Sequence, residues 1–89
     1  MKIVVTTVGK DRVGITALVS NILAENNVNI LNINQNILDG FFNMIMIAEM
    51  GESKVKLQEL QEIFRVKGEA MNLDIKVQHK DIFNIMHKI

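Results

Sequence analysis

The spacing of the apolar residues changes several times along the 89-residue chain, and the order of these changes limits the fold more than any single motif does. The segment from Lys2 to Val8 is rich in valine, isoleucine and threonine, which predicts a strand in the interior of a sheet. Apolar residues then recur at helical spacing and predict a helix that ends at Asn26 and Asn27. This apolar stripe consists of Ile15, Leu18, Val19, Ile22 and Leu23.

Two further strands follow this helix and are joined by a short turn. The pattern from Val28 to Leu38 alternates but slips between Ile30 and Leu31, which predicts a strand with a β-bulge. Asp39 and Gly40 form a two-residue hairpin signal, and residues 41–50 return as a strand that is apolar on both faces. One face of the first of these strands carries a row of amides, which we interpret as solvated surface or as a row that pairs with a partner. The row is Asn32, Asn34 and Asn36.

The second half of the chain repeats the order of helix and strand. Ser53 is the predicted N-cap of a second helix, and Gly68 leaves the C-terminal boundary of that helix open. The core-facing positions of this helix are Leu57, Leu60, Ile63, Phe64 and Met71. Leu73, Ile75 and Val77 then alternate with polar residues and predict an edge strand with one wet face. Asp81 is the predicted cap of a short terminal helix with Ile82, Ile85, Met86 and Ile89 on one side.

The resulting order, βαββαβ with a terminal helical turn, predicts one α+β domain that spans residues 1–89. Two right-handed strand-helix-strand units joined by a hairpin form a ferredoxin-like, four-stranded antiparallel sheet with both helices on one face. The first and third strands are then central. Because both of these strands are apolar on both faces, a patch of Ile, Val and Met would remain on the face without helices. A second copy, another protein or the terminal helix could cover this patch.

Composition limits the class of protein. With 48% apolar and 22% charged residues the chain suits one small core, and without cysteine it has neither disulfides nor thiolate metal sites. A domain of this size is marginally stable alone, so we expect a homodimer or a higher homo-oligomer. Ten basic and ten acidic residues cancel, which argues against nucleic acid or membrane partners. The apolar run at the start is too short for a signal sequence, so we expect a cytoplasmic protein.

The stretch GKDRVG at residues 9–14 joins the first strand to the first helix. Amides at a helix N-terminus attract anionic groups, and Gly14 allows a ligand or a second backbone to approach closely. Asp11 can cap the helix or accept hydrogen bonds from an ammonium group, and Arg12 can hold a carboxylate, a set that suits a zwitterion. The alternative is structural: Asp11 caps the helix, Arg12 is solvated and Gly14 permits close helix packing.

The stretch GKDRVGITALVSNILAENNVNILNINQ resembles the opening of an ACT domain. The pattern of that family is a strand, D-R-[PV]-G-[IVL], an amphipathic helix, and V-N-I at the start of the second strand. The stretch DGFFNMIMI fits the second hairpin of the family. The chain is similar to small stand-alone bacterial ACT proteins, and to one half of the two-domain regulators linked to the glycine cleavage system.

This resemblance implies a regulatory module that is paired through its first helix and second strand and that binds an amino acid between subunits. By the resemblance, the loop after the first strand holds the ligand, and Asn29 comes from across the interface. The amide of Asn29 can both donate to a carboxylate and accept from an ammonium group. The implied loop residues are Asp11, Arg12, Val13, Gly14 and Ile15.

Other functions find less support in the residues. His79, Asp81 and His87 match no metal-ligand spacing with a recognised mechanism, so we expect no metal site. No nucleophile lies near a base in the pattern, so we expect neither an enzyme nor a cofactor.

Two binding alternatives stay open beside the small-molecule module. RNA-recognition domains share this element order, but Asp39 replaces their basic residue, and Asn43 and Met46 stand where stacking rings belong. A module without a ligand that docks on an enzyme or regulator would also bury the apolar patch.

Overall fold

The computed structural model describes residues 1–86 and contains four strands and three helices. In chain order the elements are β1 (Lys2–Lys10), α1 (Ile15–Glu25), β2 (Asn29–Leu38), β3 (Phe41–Glu49), α2 (Leu57–Ala70), β4 (Leu73–His79) and α3 (Lys80–Met86). The predicted order βαββαβ, with a short terminal helix, is confirmed.

The strands form one antiparallel sheet in the order β2-β3-β1-β4, so β1 and β3 are central as predicted. The predicted bulge is present as a register shift between Ile30 and Asn32. Asp39 and Gly40 both have left-handed φ angles, of 55° and 83°, which is the conformation of a tight hairpin turn. The ferredoxin-like fold class is confirmed.

Helices α1 and α2 cover one face of this sheet, and the core lies between the two layers. Ile3 and Val5 of β1 pair across the sheet with Ala48 and Met46 of β3, and all four are buried against the helices. The helices contribute Ile15, Val19, Ile22, Leu23, Leu60 and Phe64 to the same cluster. Alternation along the strands therefore directs every second residue into the core.

We call the opposite side of the sheet the open face. It carries Val4 and Val8 of β1, Phe41 and Ile45 of β3, and the asparagine row of β2. Val8, Phe41 and Ile45 are exposed, which confirms the predicted apolar patch. The prediction that methionines belong to this patch is wrong, because Met44 and Met46 alternate onto the buried face of β3.

Two helix starts differ from the prediction. Helix α2 begins at Leu57 with Lys56 as its N-cap, and the Lys56 N–H donates to the Glu59 carboxylate at 3.4 Å. The Ser53 hydroxyl does not cap α2, because it bonds the N–H and the carbonyl oxygen of Val55 within the preceding turn, at 3.1 and 2.8 Å.

Helix α3 begins directly at the end of β4. Asp81 lies inside its first turn rather than at its cap, and the Asp81 N–H donates to Nδ1 of His79 at 3.1 Å. The imidazole therefore occupies the place predicted for the carboxylate. Helix α3 contacts β1 and β4 and covers part of the open face.

The buried hydroxyl of Thr7 allows a test of core packing. Its hydroxyl is fully buried and has no hydrogen-bond partner among the described residues. Thr7→Val is expected to raise the free energy of unfolding by about 1 kcal/mol, because an unpaired buried hydroxyl is replaced by a methyl of similar shape. Urea denaturation measures this change. Thr6→Val, at a half-buried position of the open face, is the control and should have a smaller effect.

Candidate functional site

The loop between β1 and α1 lies at one end of the sheet. Helix α1 has Gly14 as its N-cap, with φ 97° and ψ 0°, and has no side-chain cap. Asp11 therefore does not cap α1. Instead, its backbone N–H donates to the Gly40 carbonyl of the β2–β3 hairpin at 2.9 Å and ties the two loops together.

The missing cap leaves the first amides of α1 available. The first turn of α1 contains no acidic residue, so no side-chain carboxylate compensates the positive end of the helix dipole. The Thr16 hydroxyl donates to Gln35 Oε1 at 3.0 Å, which places the start of α1 above β2. An anionic group could thus approach the amides at the start of α1 from the β2 edge of the sheet.

The predicted loop residues differ in what they offer to a ligand. Val13 is 99% exposed, whereas the Ile15 side chain is buried in the core and leaves only its backbone for binding. The position of Gly14 requires glycine for its left-handed φ. A Cβ at Gly14 would meet nothing within 4 Å, so the interpretation that Gly14 permits close helix packing is wrong.

Asp11 and Arg12 also line a cleft of about 380 Å³ on the other side of the loop, together with Lys10, Met71 and Asn72. The last three residues were not predicted from the sequence. Met71 and Asn72 belong to the turn between α2 and β4, which lies beside the loop because β4 pairs with β1. No local signal could have shown this, since the pairing joins residues more than sixty positions apart in the chain.

The charged side chains of this cleft have no polar partner among the described residues. Lys10, Asp11 and Arg12 form no salt bridge and no side-chain hydrogen bond with other described residues. Two cations and one carboxylate are therefore free to bind a ligand with both acidic and basic groups.

Asn29 lies far from the loop in the same chain. It is exposed at the start of β2 and lines a second cleft, of about 340 Å³, with Asn27 and Glu52. Asn29 pairs with Glu49, which pairs with Lys2, whereas the loop follows Lys10 at the other end of β1. Nine residues of strand separate these ends by about 27 Å. A single subunit therefore does not bring Asn29 and the loop to one ligand.

One carboxylate close to Asn29 has a shifted pKa. Glu49 Oε2 accepts a hydrogen bond from the N-terminal ammonium group at 2.6 Å, and this contact lowers the pKa of Glu49. Glu49 therefore stays ionised beside Asn29 to a lower pH than an ordinary glutamate does.

The geometry gives little support to a metal site or to RNA binding. His79 Nδ1 lies 3.8 Å from the Asp81 carboxylate, and His87 lies outside the described residues. Within residues 1–86, no group of three or more potential ligands could hold a metal ion, and no helix is long and apolar enough to cross a membrane. Phe41 is exposed on the open face but Phe42 is buried in the core, so this hairpin offers a single ring for stacking.

Comparison with known proteins identifies the family. The model of the ACT domain family matches residues 1–78. The chain belongs to the ACT domain family. A UPF0237 protein of Clostridium perfringens is 55% identical to this ACT domain over 89 residues, which is the full length of both chains.

Solved structures agree with this assignment. An ACT domain protein from Streptococcus pneumoniae has a TM-score of 0.81 and 37% identity to this ACT domain, over 93% of each chain. A candidate transcriptional repressor of the glycine cleavage system has a TM-score of 0.76 and 18% identity, over 86% of this chain and 45% of that one. At this identity the second likeness concerns the fold alone, and it confirms the predicted similarity to about half of such a regulator.

Gly14 provides a test of the loop conformation. Gly14→Ala is expected to lower the free energy of unfolding by about 1–2 kcal/mol, because a Cβ disfavours the left-handed region. Gly14→Asn should cost less, since asparagine tolerates that region. Urea denaturation measures both variants, with Gly51→Ala as the control at a glycine without positive φ. Equal losses for alanine and asparagine would contradict this explanation.

Proposed function

We propose that this ACT domain is a cytoplasmic regulatory module that forms a homodimer and binds a small amino acid or a related metabolite between its subunits. One subunit contributes residues 11–15, and the partner subunit contributes its copy of Asn29. The observation that carries the proposal is the unprotected edge of the sheet at β2.

Strand β2 has the sequence NILNINQNIL, which contains neither a charged residue nor a proline. It is a long edge strand, and nearly all of its residues are exposed. Natural proteins usually protect such an edge with charges, prolines or a covering segment, because its free backbone groups pair readily with another strand. An exposed β2 is therefore the natural contact for a second copy.

The other edge of the sheet is protected. The Gln61 side-chain amide donates to the Val77 carbonyl of β4 at 2.8 Å and so occupies an edge acceptor. Asp74 and Lys76 add opposite charges to the same short strand, 3.8 Å apart. This contrast supports pairing through β2 rather than through β4.

Antiparallel pairing of two β2 strands would also bring together the predicted site residues, which lie at opposite ends of a single subunit. Under a two-fold axis, the start of one strand lies beside the end of the other. Asn29 of the partner subunit would thus approach Leu38, close to the hairpin that binds the Asp11 amide. The start of α1 lies above the same strand, since Thr16 bonds Gln35.

The groups that would meet there suit a zwitterion. The uncapped amides of α1 and the Arg12 guanidinium can hold a carboxylate, and the Asp11 carboxylate can hold an ammonium group. The Asn29 amide can bind either group. A ligand that contacts both subunits stabilises the dimer, and this coupling could change the activity of a regulated protein.

The edge contact can be tested by adding a charge to β2. Ile33→Lys is expected to convert the dimer into a species of half its mass or to weaken the dimer strongly, because two lysines would face each other across the two-fold axis. Analytical ultracentrifugation measures the mass. Val66→Lys, at an exposed apolar position of α2, is the matched control. An unchanged mass of the Ile33→Lys variant would contradict pairing through β2.

The ligand can be identified by thermal unfolding against the twenty amino acids and several α-keto acids. A ligand at about one hundred times its dissociation constant adds roughly 2.7 kcal/mol, which should raise the Tm by several degrees. Asn29→Ala should abolish the shift. Asn21→Ala, at an exposed asparagine of α1 outside both the loop and β2, should retain it. If no compound raises the Tm, a docking module without a ligand becomes the better explanation.

A further inference from the structure

The cleft between the β1–α1 loop and the α2–β4 turn carries more positive than negative charge. It is lined by Lys10, Asp11, Arg12, Met71 and Asn72, and its volume is about 380 Å³. Lys10 and Arg12 are cations, Asp11 is the single carboxylate, and all three residues are exposed. The lining side chains therefore have one positive charge in excess, which a zwitterion with a neutral side chain does not balance.

Three acidic residues lie near this end of the sheet, and none forms an ion pair with the cations of the cleft. Asp74 of β4 lies 3.8 Å from Lys76, and Glu69 at the end of α2 forms a salt bridge with Arg65 at 3.0 Å. Asp39, in the β2–β3 hairpin, forms no salt bridge with another described residue. The two cations of the cleft are therefore available to a ligand.

The α2–β4 turn contributes side chains rather than backbone amides to the cleft. The Met71 N–H donates to the Gly68 carbonyl at 3.0 Å, and the Asn72 N–H donates to the Glu69 carbonyl at 3.3 Å, so both amides are used by the end of α2. The Met71 side chain is half-buried against the core and gives the cleft an apolar wall. The side-chain amide of Asn72, an exposed residue, can donate to a ligand.

Two glycines allow this turn to lie close to β1 and α2. A Cβ at Gly9 would lie 2.6 Å from Cδ2 of Leu73 and 3.2 Å from the Asn72 carbonyl oxygen. A Cβ at Gly68 would lie 2.7 Å from the Leu73 carbonyl oxygen. The turn is therefore packed in place before a ligand binds, which lowers the entropic cost of binding.

We propose that the ligand of this domain is an α-amino dicarboxylate, such as aspartate or glutamate, whose side-chain carboxylate binds Lys10 and Asn72 in this cleft. This ligand class rests on the proposed function, since it extends the site at the same loop. Arg12 holds one carboxylate and Asp11 holds the ammonium group, which leaves Lys10 for the second carboxylate. The methylene groups of the ligand pack against Met71. Two carboxylates and one ammonium group thus match two cations and one carboxylate.

A neutral amino acid matches these groups less well. Its single carboxylate leaves one of the two cations without a counter-charge. Hydrogen bonds to charged groups contribute more than neutral ones, so the missing carboxylate lowers the affinity. Because Lys10 is exposed, solvent screens part of its interaction, and the expected discrimination is about tenfold rather than the larger factor of a buried site.

Isothermal titration calorimetry with pairs of matched amino acids tests the ligand class. Glutamate is expected to bind about tenfold more tightly than glutamine, and aspartate more tightly than asparagine, because each amide has the shape of the acid without its side-chain charge. Glutarate, which lacks the ammonium group, is expected to bind more weakly than glutamate, since it brings no cation to the Asp11 carboxylate.

Two variants test where the side-chain carboxylate binds. Lys10→Gln and Asn72→Gly should each weaken the binding of glutamate, by about tenfold for Lys10→Gln, and leave the affinity for glutamine unchanged. Glycine at position 72 keeps the left-handed φ of 56° that the turn requires. Lys10→Arg should retain the binding of glutamate. Lys2→Gln, at an exposed lysine at the other end of β1, is the matched control and should bind glutamate as the wild type does.

The outcomes separate this inference from the proposed interface site. If neither acidic amino acid binds more tightly than its amide, or if Lys10→Gln binds glutamate as the wild type does, the inference is overturned. A neutral amino acid whose binding is lost in Asn29→Ala would support the interface site and overturn the inference. Binding of glutamate that requires Lys10 but persists in Asn29→Ala would support the cleft, and the interface site would fail.

Discussion

The antiparallel ladder between β1 and β3 is the constraint on which the rest of the structure depends. It runs from Lys2 opposite Glu49 to Lys10 opposite Phe41 through the middle of the sheet. Because side chains alternate between the two faces, this single register assigns one set of residues to the core and the other to the open face. It also sets the position where the chain leaves β1, and with it the position of the candidate loop.

The two edges of this sheet have different chemistry, and the difference connects the fold to the proposed function. Strand β4 is short, charged and contacted by Gln61, whereas β2 is long and neutral. A domain of 89 residues buries a limited core, so association adds stability that a single copy lacks. A ligand bound at such an association site would change the balance between assembled and separate subunits.

The candidate site could be predicted only in part from the sequence. Ser53 and Asp81 were predicted as helix caps, and a cap was one of two roles considered for Asp11, but none of the three has that role. The pattern of a capping residue before an apolar run is local, whereas helix starts also respond to contacts from distant segments. The Asp11 amide is bound by Gly40, and Met71 and Asn72 reach the cleft through the pairing of β4 with β1.

The sequence by itself determined the order of elements, the two central strands, the bulge and the hairpin turn. These features follow from periodicity and turn chemistry, which operate over a few neighbouring residues. The tertiary structure decided that Asn29 and the loop lie at opposite ends of one subunit, and that Ile82 and Ile85 face away from the sheet. Both outcomes depend on how distant segments pack, and a one-dimensional pattern carries no record of such distances.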